Sequence, residues 1–294
     1  MSSDPYQPRS DVTFEEIADR IHFPRHLPRL ILMVSPCRSG STAFLRVFSA
    51  SGVESHYQPI KAILRNLMQN EEWEYNVPET DVLFVKETLG PYTSAESALD
   101  FLRIVTLAGY PAEQIQLIFL VRNPYSTLAS WLQLLTYKCD ATSLFNSFMF
   151  AYERMPKLIA DARARGVSAV CHVYEATRDH DPSTVIGALF QTIHVDPTPQ
   201  TVHRWQFLPH FASPESRIVF PKEPAIYDVP KAHTNAMGAT GLHFSARQDA
   251  EINEIVPPEW RTAIRDGGLL ETYNAVRLEC EQALGLQIAE GGAS

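Results

Sequence analysis

Between Arg29 and Phe48 the chain reads RLILMVSPCRSGSTAFLRVF, and its middle, Cys37-Arg38-Ser39-Gly40-Ser41-Thr42, gathers one guanidinium, three hydroxyls and a glycine. Those are the parts of an anion site: side-chain donors, and a glycine that lets backbone amides approach a ligand closely. The chemistry expected there is binding of a phosphate-like group. Arg122 offers a second set, with Asn123-Pro124 after it and Ser130 eight residues on. A guanidinium presents a planar fork of donors suited to phosphate. A third polar group, Lys86-Glu87-Thr88, follows a short apolar run. His56, with Glu54 beside it, completes the residues able to move a proton.

The elements that must position these residues can be read from periodicity. Leu30–Val34 is a continuous apolar run, which suits a strand buried on both faces. It turns through the hydroxyl-rich loop into a helical pattern with Phe44, Leu45, Val47 and Phe48 on one side. A strand, a small-residue turn and a helix N-terminus together form an anion-binding concavity. Further strands are predicted within Ser51–Tyr57 and at Val82–Val85, Ile115–Val121 and Ala169–Tyr174. Helices are predicted at Val12–Ile21, capped by Thr13, at Ile60–Gln69, at Thr93–Ala108, from Pro124 to about Leu135 with Asn123 as cap, at Ser143–Ala164 and at Pro182–Gln191. Asn70–Thr80 reads as acidic and irregular. Alternating short strands and helices imply an α/β three-layer sandwich, a central parallel sheet flanked by helices. Ligands of such sheets bind beyond the carboxyl ends of the strands, where Arg38, Lys86, Glu87 and Arg122 all fall.

The chain has 294 residues, 45% of them hydrophobic and 20% charged, a composition that supports a sizeable globular core. Residues 1–28 are expected to form an arm and a short helix, and 29–294 a single α/β domain. A net charge of −9 disfavours a general nucleic-acid surface. Cys37, Cys139, Cys171 and Cys280 have neither metal-ligand spacing nor the density of a disulfide scaffold, which implies reduced thiols and a cytoplasmic protein. The N-terminus is polar and acidic, unlike a secretory signal, and no apolar run reaches membrane-span length. His22 and His26 flank Pro24, and His194, His203, His210, His233 and His243 show no zinc pattern, so no metal is expected. Trp205–Tyr227, rich in Pro and aromatics, is expected either to shape an acceptor pocket or to cap the sheet.

The first loop lacks the Gly-x4-Gly-Lys-[Ser/Thr] pattern of nucleotide triphosphatases, having one glycine and no lysine before Ser41-Thr42. Ser-Pro-Cys-Arg-Ser-Gly-Ser-Thr after the first long strand, and Val-Arg-Asn-Pro followed by Ser130, instead resemble the two nucleotide-binding motifs of the sulfotransferases that use 3′-phosphoadenosine 5′-phosphosulfate (PAPS). Val173-Tyr174-Glu175 with Asp181-Pro182 is similar to a later stretch of that family, although Ala176 stands where the family has Asp. Gly238-Ala239-Thr240-Gly241 and the tail with Trp260 and Tyr273 are similar to its C-terminal segment. The resemblance covers roughly residues 29 to 280 and implies a P-loop-like sulfotransferase fold.

The resemblance implies transfer of a sulfuryl group from PAPS to a hydroxyl or amine of a small-molecule acceptor, with product 3′-phosphoadenosine 5′-phosphate (PAP) and no metal. Arg38, Ser39, Gly40, Ser41 and Thr42 would hold the 5′-phosphosulfate, Arg122 and Ser130 the 3′-phosphate. Arg38 keeps its proton, so its role would be electrostatic, and Lys86 would share the sulfonate charge. For the general base the chain departs from the cytosolic members, which carry Lys-Thr-His where this one has Lys86-Glu87-Thr88. Glu87 is favoured narrowly over His56, and Glu54 reads better as a solvated residue. Two other readings stay open: a P-loop kinase-like phosphotransferase, which would need a lysine before Ser41 and an acidic Mg²⁺ ligand, and a non-catalytic nucleotide-binding protein of the same fold. The acceptor and the oligomeric state have no sequence signature.

Overall fold

The structure is a computed structural model that describes residues 9–196, 217–227, 239, 241–242 and 249–289. Its strands are β1 (Ile21–His22), β2 (Arg29–Pro36), β3 (Glu54–Tyr57), β4 (Tyr75–Asn76), β5 (Val82–Leu89), β6 (Ile115–Val121), β7 (Ser168–Val173) and β8 (Ile218–Val219). Six of them form one sheet in the order β7–β6–β2–β5–β3–β8, and every pair runs parallel. The apolar runs in β2 and β6 are buried from end to end, without alternation, because helices cover both faces. The expected central parallel sheet flanked by helices is what the chain forms.

Pairing fixes which side chains share a face. Tyr57 lies opposite Lys86 and His56 opposite Val85, so successive residues of β3 and β5 alternate between the two faces. Phe48 of α2 (Ser41–Ala50) stacks on Phe84 at 3.9 Å, and Phe84 precedes Lys86 by two. The α2 face therefore carries Tyr57 and Lys86. The opposite face carries His56 and Glu87 and is met by α3 (Pro59–Met68), whose Ile60 amide reaches Glu87.

Several boundaries differ from the expectations. The helix expected over Thr93–Ala108 is two, α4 (Ser94–Ala98) and α5 (Phe101–Leu107). Leu99 is extended between them, and Asp100 restarts the helix by accepting from the Arg103 amide at 2.9 Å. The first helix, α1, covers only Phe14–Ala18, although its Thr13–Glu16 capping box is complete. Ile21–His22 instead pair with Tyr75–Asn76. The stretch read as irregular thus contributes a strand. Lys86, Glu87 and Thr88 lie inside β5, which stays paired with β2 as far as Pro36–Leu89.

The remaining helices used below are α6 (Pro124–Leu135) and α7 (Ala141–Ala164). Most of the N-terminal arm, the Pro-rich stretch from 197 to 216, Gly238, Thr240, His203, His210, His233 and His243 lie outside the described residues. Among those described, no helix is long and apolar enough to cross a membrane.

Candidate active site

The chain leaves β2 toward β3 on one side, through α2, and leaves β6 toward β7 on the other, through α6 and α7. Since β2 and β6 are neighbours, their loops diverge from a common crevice, the switch point at which open α/β sheets bind ligands. Arg38 sits in one of these loops and Arg122 in the other.

The structure brings the two motifs together. Arg38 donates from Nε to Oγ of Ser130 at 3.3 Å. Tyr174, just past β7, touches both loops: the Arg122 guanidinium lies 4.7 Å from its ring centre, and a Cβ added to Gly40 would sit 2.4 Å from its Cδ2. Gly40 has φ +93°, so glycine answers both the backbone and the space here. Arg38 is also left-handed, at φ +67°, a conformation a non-glycine residue holds only when its surroundings impose it.

The loop fits an anionic ligand. Ser35 and Ser39 have buried hydroxyls with no hydrogen-bond partner among the described residues. No side chain caps α2, whose N-terminus carries the positive end of the helix dipole. By contrast α6 is capped as expected, with Asn123 accepting from the amides of Tyr125 and Ser126 at 3.0 and 3.2 Å. Glu175 holds that turn in place by accepting from the Asn123 amide at 2.9 Å, and Tyr152 donates to the Arg122 carbonyl.

Lys86 is 2% exposed and faces the α2 side, where its ammonium lies 4.2 Å from the centre of the Tyr57 ring. Burial pushes its pKa down to about 7, with Arg38 and Lys61 among the charges that bear on it. Glu87 points to the opposite face. Its Oε1 accepts from the Ile60 amide at 2.7 Å, serving as a cap that Gln58, the residue before α3, does not supply. Burial pushes Glu87 up to about 7 against the pull of Lys61. His56 shares that face with both ring nitrogens engaged, Nε2 by Glu54 at 3.1 Å and Nδ1 by the Tyr75 hydroxyl at 2.8 Å. Burial holds it below the usual histidine range despite Glu54. Arg38, Ser130 and Arg122 are therefore joined directly or through Tyr174, Lys86 faces the α2 side, where the charge of Arg38 bears on it, and Glu87 and His56 face the other.

Sequence reasoning missed the supports on α3. Lys61 is fully buried, and its ammonium donates to Thr88 Oγ1 and to the Gly90 carbonyl, each at 2.6 Å. One turn on, Arg65 pairs with Glu96 at 2.9 Å and Glu223 at 2.8 Å and lies 4.2 Å from the Tyr227 ring centre. This pins residues 220–227 beside Tyr57 and Lys86, with Phe220 stacked on Tyr57 at 4.9 Å. Cations spaced four apart in α3, Lys61 and Arg65, were the available signal, read in the sequence only as part of a helix over Ile60–Gln69.

No family model matches this chain, and no curated protein sequence matches it. Solved structures do match it. The mouse sulfotransferase SULT7A1 complexed with PAP is 12% identical, with a TM-score of 0.51 over 92% of this chain and 94% of that one. The sulfotransferase domain from the curacin biosynthetic pathway is 13% identical, with a TM-score of 0.48 over 82% of this chain and 98% of that one. At such identities the likeness is one of fold: this chain has the α/β architecture, a parallel sheet between helical layers, found in sulfotransferase structures.

Proposed function

We propose that this protein is a sulfotransferase that takes a sulfuryl group from PAPS and passes it to a hydroxyl or amine of a small acceptor. The observation that carries the reading is the Arg38–Ser130 contact, which joins two anion-binding loops at the switch point of the sheet. A nucleotide with phosphates at both ends of its ribose needs two such loops facing one crevice. A PAP complex in a structure of the same fold supports the same ligand here.

In this reading the backbone of Arg38–Thr42 and the N-terminus of α2 hold the 5′-phosphate, with the Ser35 and Ser39 hydroxyls as further donors. Arg122 holds the 3′-phosphate from the other loop, and Ser130 lies between the two. PAPS supplies an activated sulfuryl group whose transfer places negative charge on the departing phosphate oxygen. Arg38 stays protonated and stabilises that charge. Lys86, with no carboxylate bonded to it among the described residues, supplies a second cation as the sulfonate moves. Glu87, directed to the other face to cap α3, supports the fold in this reading and is not the base. The domain is a single one from 29 onward, and residues 220–227 form an acceptor-side wall.

Calorimetric titration with PAP, followed by a screen of acceptors for the mass increase of one sulfonate, tests the proposal. Tight binding and transfer are expected, both lost in Arg38→Ala. Binding without transfer to any acceptor would favour a nucleotide sensor, and no binding would remove the proposal.

A further inference from the structure

Trp131 follows Ser130 on α6 and is fully buried. Its indole N–H donates to the Cys37 carbonyl at 2.7 Å. The indole fills a space that Gly90 leaves open, since a Cβ there would lie 2.5 Å from Cη2, and Phe148 packs edge-on at 5.7 Å. One side chain thus touches the segments that follow β2 and β5 from the helix that follows β6. Building on the nucleotide reading above, we propose that Trp131 is a positioning residue: it fixes the orientation of the Cys37–Arg38 peptide in the anion loop and thereby sets the affinity for the 5′-phosphate.

The argument is one of peptide geometry. In a planar trans peptide the carbonyl and the N–H point in opposite directions. With the Cys37 carbonyl held toward Trp131, the Arg38 amide is turned away from the indole. The preceding amide is fixed as well, because the Cys37 N–H donates to the Leu89 carbonyl at 3.0 Å. Arg38 itself sits at φ +67°, which its neighbours must enforce. Ser130 and Trp131 do so from adjacent positions, one bonding the guanidinium and the other the carbonyl of the preceding residue. Without the indole N–H that peptide is free to rotate, and rotation carries a carbonyl oxygen round toward a bound anion. Loss of one such buried hydrogen bond changes an equilibrium by about tenfold.

The test compares wild-type protein with Trp131→Phe by calorimetry, using PAP and adenosine 3′-phosphate, which lacks the 5′-phosphate. PAP affinity is expected to fall about tenfold while adenosine 3′-phosphate affinity stays within about twofold, a split that general loosening of the fold would not produce. Benzothienylalanine at position 131, which replaces the N–H by sulfur in a ring system of similar shape, is expected to give the same split and serves if Trp131→Phe fails to fold. Equal losses for both nucleotides, or unchanged PAP affinity in either variant, would overturn the positioning role and leave the donor reading standing. Wild-type protein that binds neither nucleotide overturns both.

Discussion

Arg38 Nε donates to Ser130 Oγ at 3.3 Å, so residues 92 positions apart in the chain meet at one polar contact. If they act as a unit on a bound nucleotide, their effects on PAP affinity are not additive. A double-mutant cycle with Arg38→Ala and Ser130→Ala is expected to give a coupling of about 1 kcal/mol. Strict additivity would mean that the contact has no part in binding.

On the nucleotide reading, Lys86 is expected to give the affinity a pH dependence. Its pKa is pushed down by burial to about 7, well below the 10.5 of an exposed lysine. A bound anion favours the charged form, so affinity is expected to fall as pH rises above 7, by roughly tenfold by pH 8.5. For stability the sign is opposite. Between those two values the unfolded chain holds more protons, so this group adds stability as pH rises above 7 and takes it away as pH falls through 7. Lys86→Met should flatten both trends in titrations and melts run from pH 6 to 9.

Glu87 has the reverse linkage. Its folded pKa, raised by burial to about 7, lies above the unfolded 4.5. Its contribution to stability is complete below 4.5 and is lost as pH rises through 7. Glu87→Gln keeps an acceptor for the Ile60 amide and carries no charge, so at pH 8 it is expected to be more stable than wild type by roughly 2 to 3 kcal/mol in urea unfolding. Turnover should stay within about threefold. A loss of 10²–10⁴ would instead identify Glu87 as the general base.

The Arg65 network should dominate the electrostatic stability of the acceptor side. Arg65 and Glu96 are both buried, and despite that burial Arg65 and Lys61 hold the Glu96 carboxyl below its usual range. Glu96→Gln is expected to lower stability by about 3 kcal/mol in urea unfolding. Asp161→Asn, which breaks the surface pair between Asp161 and Arg165, should change it by about 0.5 kcal/mol or less. Equal effects would show that Arg65 is not the anchor its contacts describe.

The sheet was legible because its central strands are apolar without interruption, and the turn from β2 into α2 because a run of small and polar residues follows the first of them. Caps at Thr13 and Asn123 were legible for the same local reason: each bonds an amide two or three residues ahead. What depended on distant parts of the chain was not. β5 runs past Val85 only because β2 pairs with it to Leu89, and that extension sends Lys86 and Glu87 to opposite faces. Strand-end position alone had grouped them. Trp131 gave no sign of a role, since its partner is a backbone carbonyl 94 residues earlier. Glu96 sits in the first turn of α4, yet its buried partner Arg65 is 31 residues away.

Tyr174 touches Gly40 in one loop and Arg122 in the other. Its ring acts as a spacer, and the span between the two loops is set when the chain folds. The pair then works as a fixed gauge. On the nucleotide reading proposed above, a ligand whose phosphates sit closer or farther apart, such as a 2′,5′ isomer, is expected to be refused on length before any charge is compared.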